Sequence, residues 1–321
     1  MAAHVERETM KRMQWTMAAI AVCVAWCVLS MAAEPAPSST PATVGRAYPG
    51  LASGALTHAR LAELPQGVLL RSGDISVGEK DVAAAGAGTP EKVRAQLDKN
   101  GFFVLERIAT SKLLAAAARQ EAARANRDVS KSADGDVVKE YLSGVLDSIQ
   151  ISDAEVAAFY EQNKIMFGSA APEAVKTQLA PYLREQKQQE AYRALIESLG
   201  EKTAIEVSAP WVKSQSLLTR DNPVDKARLS GKPSLVDFGS KGCVPCDMLA
   251  PILETLKKKF DGQANVLFVS VVEEEILAAR YGIDSIPVQV FFDKEGKEVS
   301  RHVGFFPQQE IEKKLAEMGV K

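Results

Sequence analysis

The feature that most constrains this chain is the pair Cys243 and Cys246, which forms a C-x-x-C motif shortly after an apolar run, Ser234 to Phe238. The apolar run predicts a buried strand, and the residues from Cys243 to Phe260 predict a helix. Cys243 is therefore expected at a helix N-terminus, where backbone N–H groups and the helix dipole stabilise a thiolate. Cys246 follows one turn later, within reach of a disulfide.

A C-x-x-C motif can also be half of a zinc site, so two interpretations are open. Zinc normally takes four ligands, whereas this region has no second C-x-x-C and only one histidine, His302. The metal interpretation is therefore the weaker one. No metal or cofactor is expected beyond a redox-active disulfide between Cys243 and Cys246.

The bulk properties limit the classes of protein that need to be considered. The chain has 321 residues, of which 25% are charged and 46% hydrophobic, and its formal net charge is -2. This length favours two domains rather than one. Because the net charge supplies no extended basic field, no nucleic-acid partner is expected.

The N-terminal residues have the order of a secretory signal. Lys11 and Arg12 precede an apolar stretch from Trp15 to Leu29, and small residues follow it. The stretch is shorter than the roughly 20 apolar residues of a membrane span. Residues 1–33 are therefore predicted to be a signal peptide, and the protein to be periplasmic or otherwise extracytoplasmic. An uncleaved membrane anchor is the alternative, with the same domains outside the cytoplasm.

Residues 34–62 begin with EPAPSSTPATVG, which is rich in Pro, Ser, Ala and Thr. This composition predicts a disordered linker.

Residues 63–208 read as mainly helical. Ser152 and Glu155 form a predicted capping box, Gly101 is a predicted break, and a long helix is predicted to begin at Pro172 and end at Gly200. By composition alone this is a helical domain of unknown purpose, and a plain spacer is one interpretation.

Three phrases in this region stand in an informative order: ISDAEVAAFYEQNKIMF, APEAVKTQLAPYLREQKQQEAYRALIESL and KTAIEVS. This order is similar to the chaperone region of the SurA/PrsA-type periplasmic foldases. The resemblance implies a module that holds unfolded polypeptide. The parvulin domain usual in that family is absent, so prolyl isomerisation is not implied.

Two further phrases, VDFGSKGCVPCDMLAPILETL and YGIDSIPVQVFFDKEGKEVSRHVGF, resemble the two halves of thioredoxin. The implied fold is multidomain. A mainly helical SurA-like domain is followed, after a linker at 209–221, by an α/β thioredoxin fold with a mixed central sheet at 222–321.

The resemblance also implies roles for individual residues. Cys243 matches the attacking thiolate and Cys246 the resolving thiol. Asp237 matches the buried carboxylate that exchanges a proton with the resolving thiol, although by itself it would be read as an exposed residue at a strand end.

Two positions, Ile286 and Pro287, match the substrate-contacting pair with a cis-proline. A third, Gly304, matches the glycine that leaves room for substrate.

Three departures from the family pattern have physical consequences. The tryptophans that thioredoxins carry at the Gly239 and Gly242 positions are missing, which predicts a more open rim. Val244 stands where glycine is usual. Phe268 replaces a lysine, so Asp237 is expected to hold its proton more tightly.

Two functions are open at this point. The first is an extracytoplasmic thiol–disulfide oxidoreductase that reduces or isomerises disulfides in unfolded protein clients and draws electrons from a membrane electron-transferring thiol reductase. The second is a holdase chaperone in which the thioredoxin-like domain is a docking surface. The combination of both cysteines, Asp237 and Pro287 favours the enzyme.

Overall fold

The computed structural model describes residues 42–168 and 170–321. The predicted signal peptide and the first residues of the predicted linker lie outside the described residues. Among the helices described, none is both long enough and apolar enough to cross a membrane.

The region before residue 209 is mainly helical, with one small sheet. Its helices are α1 (Val44–Ala47), α2 (Glu79–Ala85), α3 (Glu91–Lys99), α4 (Gly101–Arg124), α5 (Asp134–Leu146), α6 (Asp153–Gln162), α7 (Lys164–Phe167) and α8 (Pro172–Lys202), and a 3-10 turn covers Ala55–His58. Its strands are β1 (Arg60–Ala62), β2 (Val68–Ser72), β3 (Ile75–Gly78) and β4 (Glu206–Ser208). The sheet order is β1-β4-β2-β3, and only the β1–β4 pair is parallel.

Local sequence signals explain several of these boundaries. The backbone N–H of Glu155 donates to Ser152 Oγ, and the backbone N–H of Ser152 donates to the Glu155 carboxylate, so the predicted capping box is confirmed. The predicted break is also present, because α3 ends at Lys99 and α4 begins at Gly101.

The prediction of a disordered linker through residue 62 is wrong for residues 42–62. Val44, Leu56 and Ala59 are fully buried in the main core of the helical region, and β1 pairs with β4. The Glu106 carboxylate, on α4, accepts N–H groups from the segment around the 3-10 turn. The Pro- and Ser-rich composition therefore does not describe the later residues of the segment, which are apolar and join the core.

The prediction of a linker over residues 209–221 is also wrong, because most of these residues form helix α9 (Ala209–Leu218). Val212 is fully buried in the same core, and the Trp211 ring stacks on Phe102 with 6.3 Å between the ring centroids. The helical region therefore extends to Leu218, and four residues separate it from the next helix, α10 (Pro223–Arg228), which begins the C-terminal region.

The C-terminal region is an α/β domain with a mixed sheet, as predicted. Its strands are β5 (Ser234–Gly239), β6 (Asn265–Ser270), β7 (Val288–Phe292) and β8 (Glu298–Val303), and its helices are α11 (Val244–Lys259), α12 (Glu275–Arg280) and α13 (Gln308–Glu317). The sheet order is β6-β5-β7-β8, in which β5 and β6 are parallel and the other pairs antiparallel. Apolar clusters on its two faces bury both sides of β5 and β7.

Candidate active site

The sheet brings the predicted site residues to one edge. Phe238, near the end of β5, pairs with Val288 at the start of β7, and Val288 pairs with Val303 at the end of β8. The residues next to these positions therefore lie together at this end of the sheet; they are Gly239, Pro287 and Gly304. The Gly304 backbone N–H donates to the Pro287 carbonyl oxygen at 2.8 Å, which joins the last two of them directly.

The two cysteines stand at the start of α11, and they form a disulfide. Cys243 is the N-cap residue, and its carbonyl oxygen accepts the N–H of Asp247 at 2.9 Å. Cys243 is partly exposed, whereas Cys246 is only 4% exposed. Because the first free N–H groups of a helix favour an anion, Cys243 is the better placed of the two to act as an accessible thiolate.

The rim beside the disulfide is more closed than the missing tryptophans suggested. A β-carbon placed on Gly239 would lie 3.1 Å from the Phe268 ring and 3.2 Å from Cys246 Sγ. Phe268 thus occupies the space next to Gly239 and the buried sulfur, although 49% of its surface remains exposed. The expectation of a more open rim is therefore corrected on this side, where the phenylalanine that replaces a lysine fills part of the gap.

Asp237 lies fully buried in the middle of the sheet. Side chains alternate along a strand, so Asp237 and Gly239 lie on the same face of β5, about 7 Å apart. On this face a β-carbon at Gly239 would meet Cys246 Sγ. Gln289 Nε2 donates to Asp237 Oδ1 at 2.7 Å, and Asp237 Oδ2 has no partner among the described residues. Burial raises the Asp237 pKa to about 6, and the Gln289 hydrogen bond offsets only part of that effect.

The remaining predicted residues border the same edge. The Ile286–Pro287 peptide bond is cis, Ile286 is half-buried and Pro287 is buried. Gly304 is buried and has a φ of +96°, a conformation that residues with a β-carbon rarely adopt.

Sequence reasoning missed two residues of this region, Gln289 and Tyr182. Gln289 is the one polar residue in the otherwise apolar run from Val288 to Phe292, and that exception was a signal. Tyr182 comes from helix α8, and no local signal connects it with this edge.

Comparisons with known proteins bear on the C-terminal region. The family described as "Thioredoxin-like domain" matches residues 221–319. A thioredoxin from Staphylococcus saprophyticus is 42% identical over 78 residues, which are 24% of this chain and 74% of that protein. A thioredoxin from Staphylococcus epidermidis is 39% identical over 85 residues, 26% of this chain and 81% of that protein. The solved structure of a mutant thioredoxin from Halobacterium salinarum is 28% identical and covers 30% of this chain and 83% of its own, with a TM-score of 0.28.

Proposed function

Because this chain belongs to the thioredoxin family through its C-terminal domain, we propose that it is an extracytoplasmic thiol–disulfide oxidoreductase that reduces or isomerises disulfides in unfolded protein clients. The observation that carries the proposal is the disulfide at the N-terminus of α11, with one accessible sulfur, one buried sulfur and a buried carboxyl group on the adjoining strand. Thiol–disulfide exchange needs this combination of groups.

The geometry divides the exchange into two steps. In the reduced protein the Cys243 thiolate attacks one sulfur of a client disulfide, forms a mixed disulfide and releases the other client sulfur as a thiolate. The Cys246 thiol then loses its proton to the Asp237 carboxylate and attacks Cys243 Sγ. The client leaves with two thiols, and the Cys243–Cys246 disulfide remains. A pKa of about 6 leaves Asp237 mostly ionised at neutral pH, so it can accept this proton.

Each turnover as a reductase oxidises the protein by two electrons. A further partner must return them, and we propose a membrane electron-transferring thiol reductase. The location outside the cytoplasm rests on the signal-like order of the N-terminal residues.

The helical region is proposed to hold the client, in line with its resemblance to SurA-type chaperone regions. Helices α6 and α8 enclose an apolar cluster of their own, built on Val156, Tyr160 and Leu179 and separate from the main core. Half-buried aromatic side chains such as Phe159 border this cluster, and such surfaces are common where polypeptides bind.

The first experiment is to measure the reduction potential of the Cys243–Cys246 pair by equilibration in thiol buffers and trapping of free thiols. We expect a value near that of thioredoxin, about -270 mV. A value near about -120 mV, typical of a strong oxidant, would make the protein a donor of disulfides and overturn the reductase assignment.

The variant Cys243→Ser separates the enzyme from a holdase chaperone. It is expected to lose disulfide reduction completely, because Cys246, the only other cysteine among the described residues, is 4% exposed and cannot be reached by a client disulfide. If the variant protects aggregation-prone clients as well as the wild type does and the wild type reduces no client disulfide, the holdase function is the correct one.

A further inference from the structure

Helix α8 of the helical region contacts the end of the sheet that lies next to the disulfide. A β-carbon placed on Gly304 would lie 3.4 Å from the Tyr182 hydroxyl oxygen, and among the described residues other than its chain neighbours it would meet no other atom within 4 Å. Tyr182 is itself half-buried. The Gly304 backbone N–H donates a hydrogen bond to the Pro287 carbonyl oxygen, so Tyr182 lies next to the part of the site that Pro287 and Gly304 form.

A second contact holds α8 against this edge. The Arg193 guanidinium donates to the Gly282 carbonyl oxygen and lies 3.1 Å from the Asp284 carboxylate. Gly282 and Asp284 belong to the loop that leads into Pro287. Tyr182 and Arg193 are separated by about 16 Å along the helix. Helix α8 therefore runs beside the site from the loop before β7 to the residue after β8.

Tyr182 also connects the site with the apolar cluster of the helical region. Its ring packs against Phe159 with 5.7 Å between the ring centroids, and Phe159 packs on the cluster between α6 and α8. An apolar surface therefore continues from this cluster, through Phe159 and Tyr182, to Gly304 at the disulfide edge.

The distances across the sheet suit an extended polypeptide. From β5, which leads to the cysteines, to β8, which ends at Gly304, there are two strand spacings, or about 10 Å. An extended chain covers that distance in about three residues. Val244, which directly follows Cys243, is 72% exposed and is available as a second apolar contact.

We propose that Tyr182 is a specificity-determining residue of the exchange reaction, and this inference rests on the proposed function. Its ring contacts an extended segment of the client about three residues away from the client cysteine that Cys243 attacks. Small disulfides do not reach Tyr182, so the contact favours polypeptide disulfides over them. Arg193 is a positioning residue that keeps α8 at this distance.

The test compares two substrates of the prereduced, purified protein: scrambled ribonuclease A, an unfolded polypeptide with disulfides, and oxidised glutathione. The measured quantity is the ratio of their second-order rate constants. We expect Tyr182→Ala to lower this ratio about tenfold, in the range that loss of a buried aromatic contact produces at an interface. Tyr182→Phe, which keeps the ring, is expected to stay within about twofold of the wild type.

The matched control is Thr177→Ala, on the same helix. Thr177 is exposed and lies roughly 140° around the helix axis from Tyr182, so the ratio is expected to keep its wild-type value. If Tyr182→Ala fails to fold, Tyr182→Leu retains packing on Phe159 but is too short to reach Gly304, and the same decrease is expected.

The outcomes separate this inference from the proposed function. If the wild type reacts with both substrates and the ratio is unchanged or higher in Tyr182→Ala, the inference is wrong and the oxidoreductase function stands. If the wild type reacts with neither substrate, the proposed function itself is wrong.

Discussion

The buried carboxyl group of Asp237 has opposite effects on stability and on reactivity. Its ionised form lies in the sheet interior with one hydrogen bond, from Gln289, and burial raises its pKa from 3.8 to about 6. A shift of two units corresponds to about 3 kcal/mol. At neutral pH the folded protein therefore holds a charge that destabilises it, and the same charge is the base that we propose for Cys246.

We predict that Asp237→Asn stabilises the oxidised protein at pH 8 by up to about 3 kcal/mol, because the cost of burying the charge is removed. The new amide can also donate to Gln289 Oε1, which has no partner among the described residues. The same variant should slow disulfide exchange at pH 7 by about 100-fold, a common effect of removing a positioned base. Denaturant unfolding and stopped-flow exchange measure the two effects.

The sign of the pH dependence follows from the direction of the shift. The folded pKa lies above the ordinary value of 3.8, so wild-type stability falls as pH rises from about 4 through 6. The advantage of Asp237→Asn should therefore vanish near pH 4 and be complete at pH 8. An equal advantage at both pH values would mean that ionisation of Asp237 is not its cause.

At the residue scale, the sequence supports predictions where chemistry and spacing occur together. The site at Cys243 and Cys246 can be predicted because a strand, small residues and a helix surround the two cysteines in the sequence. The contact between Gln289 and Asp237 cannot be predicted from the sequence, since 52 residues separate the two and only the β5–β7 register pairs them. The filling of the rim by Phe268 depends in the same way on the β5–β6 pairing.

At the scale of elements, Gly200 shows how tertiary packing overrides a local rule. The sequence predicts it as the C-cap of the long helix, but α8 continues to Lys202 and Gly200 is buried within it. Its Cα faces the backbone of Ala55, in the 3-10 turn, so closely that a β-carbon would overlap the Ala55 carbonyl oxygen. The glycine therefore permits a close approach between two backbones.

We predict that Gly200→Ala destabilises the protein by about 1–3 kcal/mol, as overpacking does, despite the higher helix propensity of alanine. Gly144→Ala in α5 is the matched control. Apart from its chain neighbours and the adjacent backbone of α5, no atom of the described residues lies within 4 Å of a β-carbon there, so this variant should gain up to about 1 kcal/mol. Urea unfolding of both variants measures the difference. If Gly200→Ala instead stabilised the protein, α8 and the 3-10 turn could move apart with little loss of folding free energy.

The same limit explains the wrong linkers. Residues 42–62 and 209–218 are short and of mixed composition, so their own pattern contains little helical or strand periodicity. They are ordered because Val44, Leu56 and Val212 enter a core whose other members lie far away in the sequence. Long elements such as α8 are predictable because their periodicity is local.

At the scale of the whole molecule, a buried ionic cluster joins the two regions. Asp225 on α10 accepts hydrogen bonds from Arg228, Arg280 and the Tyr281 hydroxyl, and each of the three charged residues is at most 4% exposed. Arg228 also donates to the Pro49 carbonyl oxygen at 2.7 Å, and Arg280 to Asn100 Oδ1 at 3.4 Å. One carboxylate of the C-terminal region thus orients two arginines that reach into the helical region.

This cluster has no signature in the sequence. Two domains are predictable from two different patterns of periodicity, but Arg280 and Asn100 are 180 residues apart, and each is unremarkable in its own surroundings. A flexible linker between the domains is the expectation that such a sequence supports. Instead, the contacts of Asp225 predict that the helical region and the thioredoxin domain unfold together.

We predict that Asp225→Ala destabilises the protein by about 3–5 kcal/mol, because it leaves two buried guanidinium groups without their carboxylate. Tyr281→Phe is the control: it removes one hydrogen bond to the same carboxylate and should cost about 1 kcal/mol.

Hydrogen exchange of α4 and of β5 reports each region separately. In the wild type both should exchange with one common free energy, whereas in Asp225→Ala they should differ. Two different free energies already in the wild type would mean that the regions unfold independently and that the cluster does not couple them.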